Sequence, residues 1–226
     1  MKKSLIFLCA MLFCMSKGFA QWKFIAVVGP QIANFGGSDK KDWGGTGSDP
    51  ELVFRFHAGV TADRLFSEKV SISTGLMFSS KGAKYSGGQY DPNSQFFTGT
   101  YTKKLSYLDV PILLNYNFSE KWSLGVGPQI SFLMSAKIKN DETAQKVYGI
   151  PETEDVKDYY STVDLGLNAG GTYKINDKFS LQLFYQLGLL KIGRDQVYDL
   201  SGGTTEETFD IKNRVLRLSL AYTFKQ

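Results

Sequence analysis

The chain has 226 residues, 26 basic against 22 acidic, with 42% hydrophobic and 14% aromatic residues. A formal net charge of +4 and a length suited to one domain supply no basic stripe for nucleic acid. Both cysteines, Cys9 and Cys14, fall within the first twenty residues, so the remainder has no thiol for a disulfide, a zinc site or a nucleophile.

Residues 1–20 read as a cleaved signal peptide. Lys2 and Lys3 form a charged start, an apolar stretch follows from Leu5 to Met15, and Gly18-Phe19-Ala20 sets small residues before the cleavage point. The apolar stretch is too short to cross a bilayer. Phe13 stands before Cys14 where a lipoprotein site needs a small residue. Lys2, Lys3 and Lys17 leave with the signal and no acidic residue does, so the net charge of the expected 21–226 domain falls to +1.

From Trp22 onward the hydrophobic period is two. Strands are expected over 22–33, 54–64, 70–79, 107–118, 122–134, 163–170, 179–189 and 216–224. The clearest sets Trp122, Leu124, Val126, Pro128, Ile130, Phe132 and Met134 on one face and Ser123, Gly125, Gly127, Gln129 and Ser131 on the other. Three short turns share one recipe: Ser67-Glu68-Lys69, Ser119-Glu120-Lys121 and Asn176-Asp177-Lys178. Four long connections, 34–53, 80–102, 137–158 and 194–213, are rich in Gly, Ser, Thr, Asp and Lys, as solvated loops are. Three short and four long connections require eight strands with both chain ends on the short-turn side. The pentamer Val-Gly-Pro-Gln-Ile occurs at 28–32 and again at 126–130. Pro30, Pro111 and Pro128 donate no ladder bond and are expected at bulges.

Alternation alone does not say which face points outward. The polar face carries Ser, Gly, Asn and Gln with few lysines, unlike a soluble surface. Aromatics such as Trp22, Phe24, Tyr116, Trp122, Phe179 and Tyr222 gather near the short-turn ends, as in an interfacial girdle. The expected fold is therefore all-β: an eight-stranded antiparallel up-and-down transmembrane β-barrel, with short periplasmic turns and four long extracellular loops. Its expected place is the outer membrane of a Gram-negative bacterium, in contact with outer-membrane lipid.

Leu218, Leu220, Tyr222 and Phe224 resemble the terminal-strand signal read by the barrel assembly machinery. Tyr107-Leu108-Asp109-Val110-Pro111-Ile112-Leu113-Leu114 resembles the Tyr-Leu-(Glu/Asp)-(Ile/Val)-Pro-Leu-Leu-Leu strand of the PorT-like outer-membrane β-barrel family, and the Val-Gly-Pro segments resemble its Gly-Pro strand. The resemblance implies the barrel and no catalytic residues. The family's founding member is linked to protein secretion and gliding-type export, a role these residues do not single out.

His57, the only histidine, is expected to face inward near Arg55 and Asp63. A hydrolase would use it as a base; the alternative is a polar lumen network of Arg55, His57, Asp63, Asp109, Asp164, Lys174 and Arg217, joined by Asn115, Gln129, Asn168, Gln182 and Gln186. The network is favoured, because no serine or carboxylate is tied to His57 by spacing and an eight-stranded lumen is narrow enough for side chains to fill. Loop acids Asp39, Asp42, Asp49, Asp141, Glu142, Glu152, Glu154 and Asp155 lack the spacing of a calcium loop. Trp43, Tyr85, Tyr90, Phe96, Phe97, Tyr101 and Tyr148 form either a loop recognition surface or a self-packed cluster. The expected function is a non-enzymatic membrane barrel working through its outer loops in binding, adhesion or envelope machinery, with an extracellular or envelope protein as partner and no cofactor. A membrane-embedded lipid or peptide hydrolase using His57, and a small pore, are the alternatives.

Overall fold

The computed structural model describes residues 22–44, 47–90, 96–198 and 204–224. The expected signal lies outside them. The strands are β1 (Trp22–Gly36), β2 (Val53–Leu65), β3 (Val70–Tyr90), β4 (Phe96–Asn117), β5 (Trp122–Asn140), β6 (Thr153–Asp155), β7 (Val163–Lys174), β8 (Phe179–Gly188), β9 (Gly193–Tyr198), β10 (Thr204–Phe209) and β11 (Lys212–Thr223). Eight of them form one antiparallel ring in the order β1-β2-β3-β4-β5-β7-β8-β11, and β11 pairs back onto β1. Closure leaves the ring without an edge strand.

The turn recipe has a physical basis in its first residue. Ser67 Oγ accepts from Val70 N at 3.1 Å, Ser119 Oγ from Trp122 N at 3.0 Å and Asn176 Oδ1 from Phe179 N at 2.9 Å. Each short polar side chain thus replaces a backbone acceptor and starts the next strand on the third residue. Because the three turns are equivalent, the strands leave them in the same phase. Phe24, Leu124, Val126, Phe132, Leu183 and Leu218 all point outward and are exposed. A girdle marks the short-turn rim, with Trp122 and Tyr173 ring centroids 4.7 Å apart and Phe179 and Tyr222 5.3 Å apart. On β4 the outward apolar belt runs from Leu108 to Tyr116, and the strand continues beyond it toward the loops.

Two expectations are corrected, the first at the prolines and the second in the connections. The prolines are not at bulges: Pro30 pairs with Phe56, Pro111 with Gln129 and Pro128 with Leu167, in unshifted register. The one register shift between β4 and β5 falls at Ser106/Tyr107. A Cβ on Gly29 would lie 1.9 Å from the Leu218 carbonyl oxygen, and one on Gly127 2.0 Å from that of Ile112. The repeated pentamer therefore encodes a close approach between strands, an outward proline and an inward glutamine; Gln31 and Gln129 are both buried.

The connections are also more ordered than their composition implies. The expected loop over 80–102 is largely the continuation of the β3–β4 hairpin. The third connection holds a short helix α1 (Glu142–Tyr148), whose Asp141 cap accepts from Ala144 N at 2.7 Å. The fourth holds the separate β9–β10 hairpin.

Candidate functional site

Inward side chains divide the lumen into two levels. Toward the loops, Asp109 stands between two cations: Lys81 Nζ is 3.1 Å from Oδ1 and Arg217 Nη1 is 3.7 Å from Oδ2. Lys81 also donates to Ser131 Oγ at 3.1 Å, and Gln129 Nε2 donates to that same oxygen at 3.0 Å. Arg217 Nη2 donates to Gln129 Oε1 at 2.9 Å and to Asn168 Oδ1 at 2.6 Å; Asn168 Nδ2 returns a bond to Gln129 Oε1 at 3.0 Å. Asn213 Nδ2 reaches Asp164 Oδ2 at 2.8 Å. Five of the eight barrel strands, β3, β4, β5, β7 and β11, contribute, so the bonds cross the barrel and brace it. Buried ions of both signs persist here because each faces a counter-ion or an amide.

Above this polar layer an apolar cap closes the loop end. Phe35, Tyr85, Leu105, Tyr107, Leu133, Tyr160, Ile192 and Ile211 are buried together. Trp43, from the first connection, lies across them: its Nε1 donates to Tyr160 Oη at 3.0 Å, and its ring is 5.1 Å from that of Phe209. The Lys103 ammonium sits under this ring, 4.7 Å from its centroid, 5.5 Å from that of Tyr85 and 5.8 Å from that of Tyr101. Lys103 lies beyond the apolar belt and is nearly buried. Burial pulls it down to about 7, since three ring faces and the Trp43 carbonyl replace only part of its lost hydration. At the cap's edge Asp210 N donates to Asp39 Oδ2 at 2.7 Å and Ser38 N to Asp210 Oδ2 at 3.1 Å, clasping the first connection to the fourth. Lys212, hydrogen-bonded to Asp210, holds that carboxyl down to about 2.

Toward the short turns the lumen is open. A cavity of about 570 Å³ runs from the turns up to His57 and Arg217. Its walls carry small hydroxyls and amides, and Phe184 lies across them where Gly125 and Gly170 leave room for its ring.

The residues expected to line the lumen thus separate. Asp109, Asp164 and Arg217 meet in the polar layer. His57 borders it, whereas Asp63 lies lower, in the cavity wall. Lys174 is not in the network: it stands at the cavity mouth and pairs with Asp177 at 2.9 Å. Arg55 turns its Nη1 to the Phe54 carbonyl at 3.1 Å. Lys81, Asn213 and Phe184 were missed, the first two because they stand inside stretches whose composition reads as loop. The loop aromatics divide as well. Trp43, Tyr85 and Tyr101 pack on one another, and Tyr85 is 0% exposed, so these three are no open recognition surface. Tyr90 pairs with Phe96 and Gln89 with Phe97 at the far end of the β3–β4 hairpin, while Tyr148 ends α1. Leu218, Leu220 and Tyr222 alternate outward on β11, and Phe224 N donates to Phe24 O at 2.9 Å.

Folding brings His57 to a serine that spacing did not reveal: His57 Nε2 and Ser219 Oγ are 2.7 Å apart. Nδ1 makes no hydrogen bond. A nucleophilic serine needs a third group to hold the imidazole tautomer, and here that position has no carboxylate. Several loop acids are engaged locally: Asp49 with Lys40 and Lys41 at 3.0 Å each, Glu152 with Lys139 at 3.1 Å, and Asp141 with the α1 N-terminus.

In comparisons with known proteins, residues 22–193 match the family described as outer membrane protein beta-barrel domain. No curated protein matches the chain. Among solved structures, Ail, the attachment invasion locus protein of Yersinia pestis, is 13% identical over 90% of this chain and 99% of its own, with a TM-score of 0.45. Neisserial surface protein A is 12% identical over 90% and 97%, at 0.46. Outer membrane protein W of E. coli is 14% identical over 89% and 97%, at 0.40.

Proposed function

Because the chain belongs to the family of outer-membrane β-barrel domains, we propose that it is a sealed, non-enzymatic scaffold that binds an extracellular or envelope protein through its outer connections. The observation that carries this reading is the closed upper lumen, where the Lys81–Asp109–Arg217 layer and the aromatic cap lie in series. Flow through the barrel would have to break both, so chemistry with the outside falls to the loop surface. That surface is built: the capped helix α1, the β9–β10 hairpin and the extended β3–β4 hairpin give it fixed shape. In this reading a signal at 1–20 exports the chain, the terminal residues from Leu218 to Phe224 engage the assembly machinery, and the short turns face the periplasm. The stretch from Tyr107 to Leu114 supports kinship with PorT-like members in particular.

The test is capture of partners from intact cells by cross-linking, with wild type beside variants in which α1 or the β9–β10 hairpin is replaced by a short Gly-Ser turn. A partner lost with either replacement, while the folded gel band is kept, is the expected result. Partners indifferent to both replacements, or steady conductance of the purified protein in a planar bilayer, would overturn the scaffold. The 2.7 Å His57–Ser219 pair is the one observation favouring a hydrolase. An ester or peptide hydrolysis lost in both His57→Ala and Ser219→Ala would put that reading first.

A further inference from the structure

The open half of the lumen has no part in a scaffold that works through its loops. It is nevertheless shaped as a blind pocket. Its 570 Å³ lies within the range of small-molecule sites. Strand register orders its lining by depth. On β11, Thr223 is at the mouth, Ser219 is deeper, and Arg217 is at the inner end. His57 lines the inner end from β2, and Met77 lines the wall from β3 opposite Gly59, two positions nearer the turn.

Two features distinguish this pocket from a mere gap between short side chains. The first is its inner end, lined by Arg217 and His57, both more than nine-tenths buried: Arg217 Nε and His57 Nδ1 make no hydrogen bond, and Arg217 Nη1 has only its 3.7 Å ion pair with Asp109. Buried donors without partners are rare and call for an acceptor. The second is a band of apolar wall next to them, from Ile25, Met77, Leu113 and Phe184. A cation at the closed end, an apolar band beside it and hydroxyls toward the mouth describe one kind of guest.

We propose that the short-turn half of the lumen binds a small amphipathic carboxylate, its acid group beneath Arg217 and His57 and its apolar chain along Met77, Leu113 and Phe184. A singly charged head fits better than a phosphate dianion, because Asp109 stands just above Arg217 and Asp63 is in the wall below. The sealed upper half makes this a site of binding and release through one mouth.

Beyond the expected signal the chain has only two methionines, and they report on opposite sides of the wall. Met77 is 8% exposed and lines the pocket, whereas Met134 is 58% exposed on the outer face. The test follows methyl-labelled methionine by NMR in the full chain held in lipid nanodiscs, with octanoate as probe and octanol as its uncharged counterpart. Octanoate should move the Met77 methyl signal saturably, while Met134 drifts in proportion to the amount added, as for partition into lipid. Octanol should leave Met77 in place. Arg217→Gln should weaken the octanoate effect by about tenfold or more, the scale of one charged hydrogen bond. Because that change also disturbs the Asp109 layer, Leu113→Trp fills the pocket from the wall instead, and should abolish saturation with the folded gel band unchanged. No saturation at Met77, an equal response to octanol, or saturation surviving in Leu113→Trp would overturn the proposal.

Discussion

The two halves of the lumen are lined by alternate residues of the same eight strands, yet one is packed and the other hollow. Toward the loops the inward positions carry long side chains, Lys81, Gln129 and Arg217, that reach across the axis and meet through Ser131, Asp109 and one another. Toward the turns they carry Ser71, Ser73, Ser123 and Ser180, which are too short to touch a partner on the far wall. Inward polarity therefore does not fill a barrel. Side-chain length and the pairing of charges do.

The largest effect that would sharpen this contrast is expected from the centre of the packed half. Asp109→Ala leaves Lys81 and Arg217 buried without their shared counter-ion, and breaking such a pair costs about 3–5 kcal/mol. Ser123→Ala on the hollow wall should stay within about 0.5 kcal/mol. The temperature at which the folded gel band converts to the unfolded one measures both, and equal shifts would break the comparison.

Next in size is the difference between two glycines. Gly29→Ala drives its new methyl into the Leu218 carbonyl, which is backbone and cannot yield without parting β1 from β11. Overpacking of this kind costs about 1–3 kcal/mol. In the hollow half, a methyl at Gly125 meets the Asn115 side chain at 2.5 Å and the Phe184 ring at 3.1 Å, both of which have cavity to move into. Gly125→Ala should therefore shift the same melting temperature less.

Trp43→Ala should open the cap and spare the ring. It removes the bond to Tyr160 and the contact with Phe209, at about 2 kcal/mol for a half-buried ring. Faster protease cutting within residues 34–52 at an unchanged barrel melting temperature is the expected outcome. A matching fall in melting temperature would mean that cap and barrel unfold as one unit.

The smallest effect is one of pH. Lys103 is held near 7 in the closed cap and returns toward its ordinary 10.5 when the cap opens. Between these values the open state binds more protons, so closure strengthens as pH rises from 7 to about 10 and weakens as pH falls through 7. Asp210, held near 2, gives a contribution that is already complete above pH 4 and so does not vary in that window. Hydrogen exchange of the cap, corrected for intrinsic rates, should show stronger protection at pH 9 than at pH 6. Lys103→Met should flatten the difference.

Much of the ring was legible because its cause is local. Period-two alternation assigns each side chain to a face, and the Ser and Asn turns restart that alternation in phase, so the outward set from Trp122 to Met134 could be read directly. The continuation of β3 and β4 was not legible, because Gly, Ser and Lys in 80–102 suit a loop as well as a two-stranded ribbon. The polar layer was legible in part. Asp109, Asp164 and Arg217 followed from phase, but Lys81 and Asn213 lie past the point where phase could be counted.

By itself, then, the sequence determined the number of crossings and, within the strands it marked, the alternation of inward and outward faces, since these depend only on neighbours along one strand. Tertiary structure alone decided which charges meet, that Trp43 closes over Lys103, that His57 rests on Ser219, and that the lumen is sealed at one end and open at the other. Those are relations between residues as many as 162 positions apart, and they are set by how the eight strands are staggered around the ring.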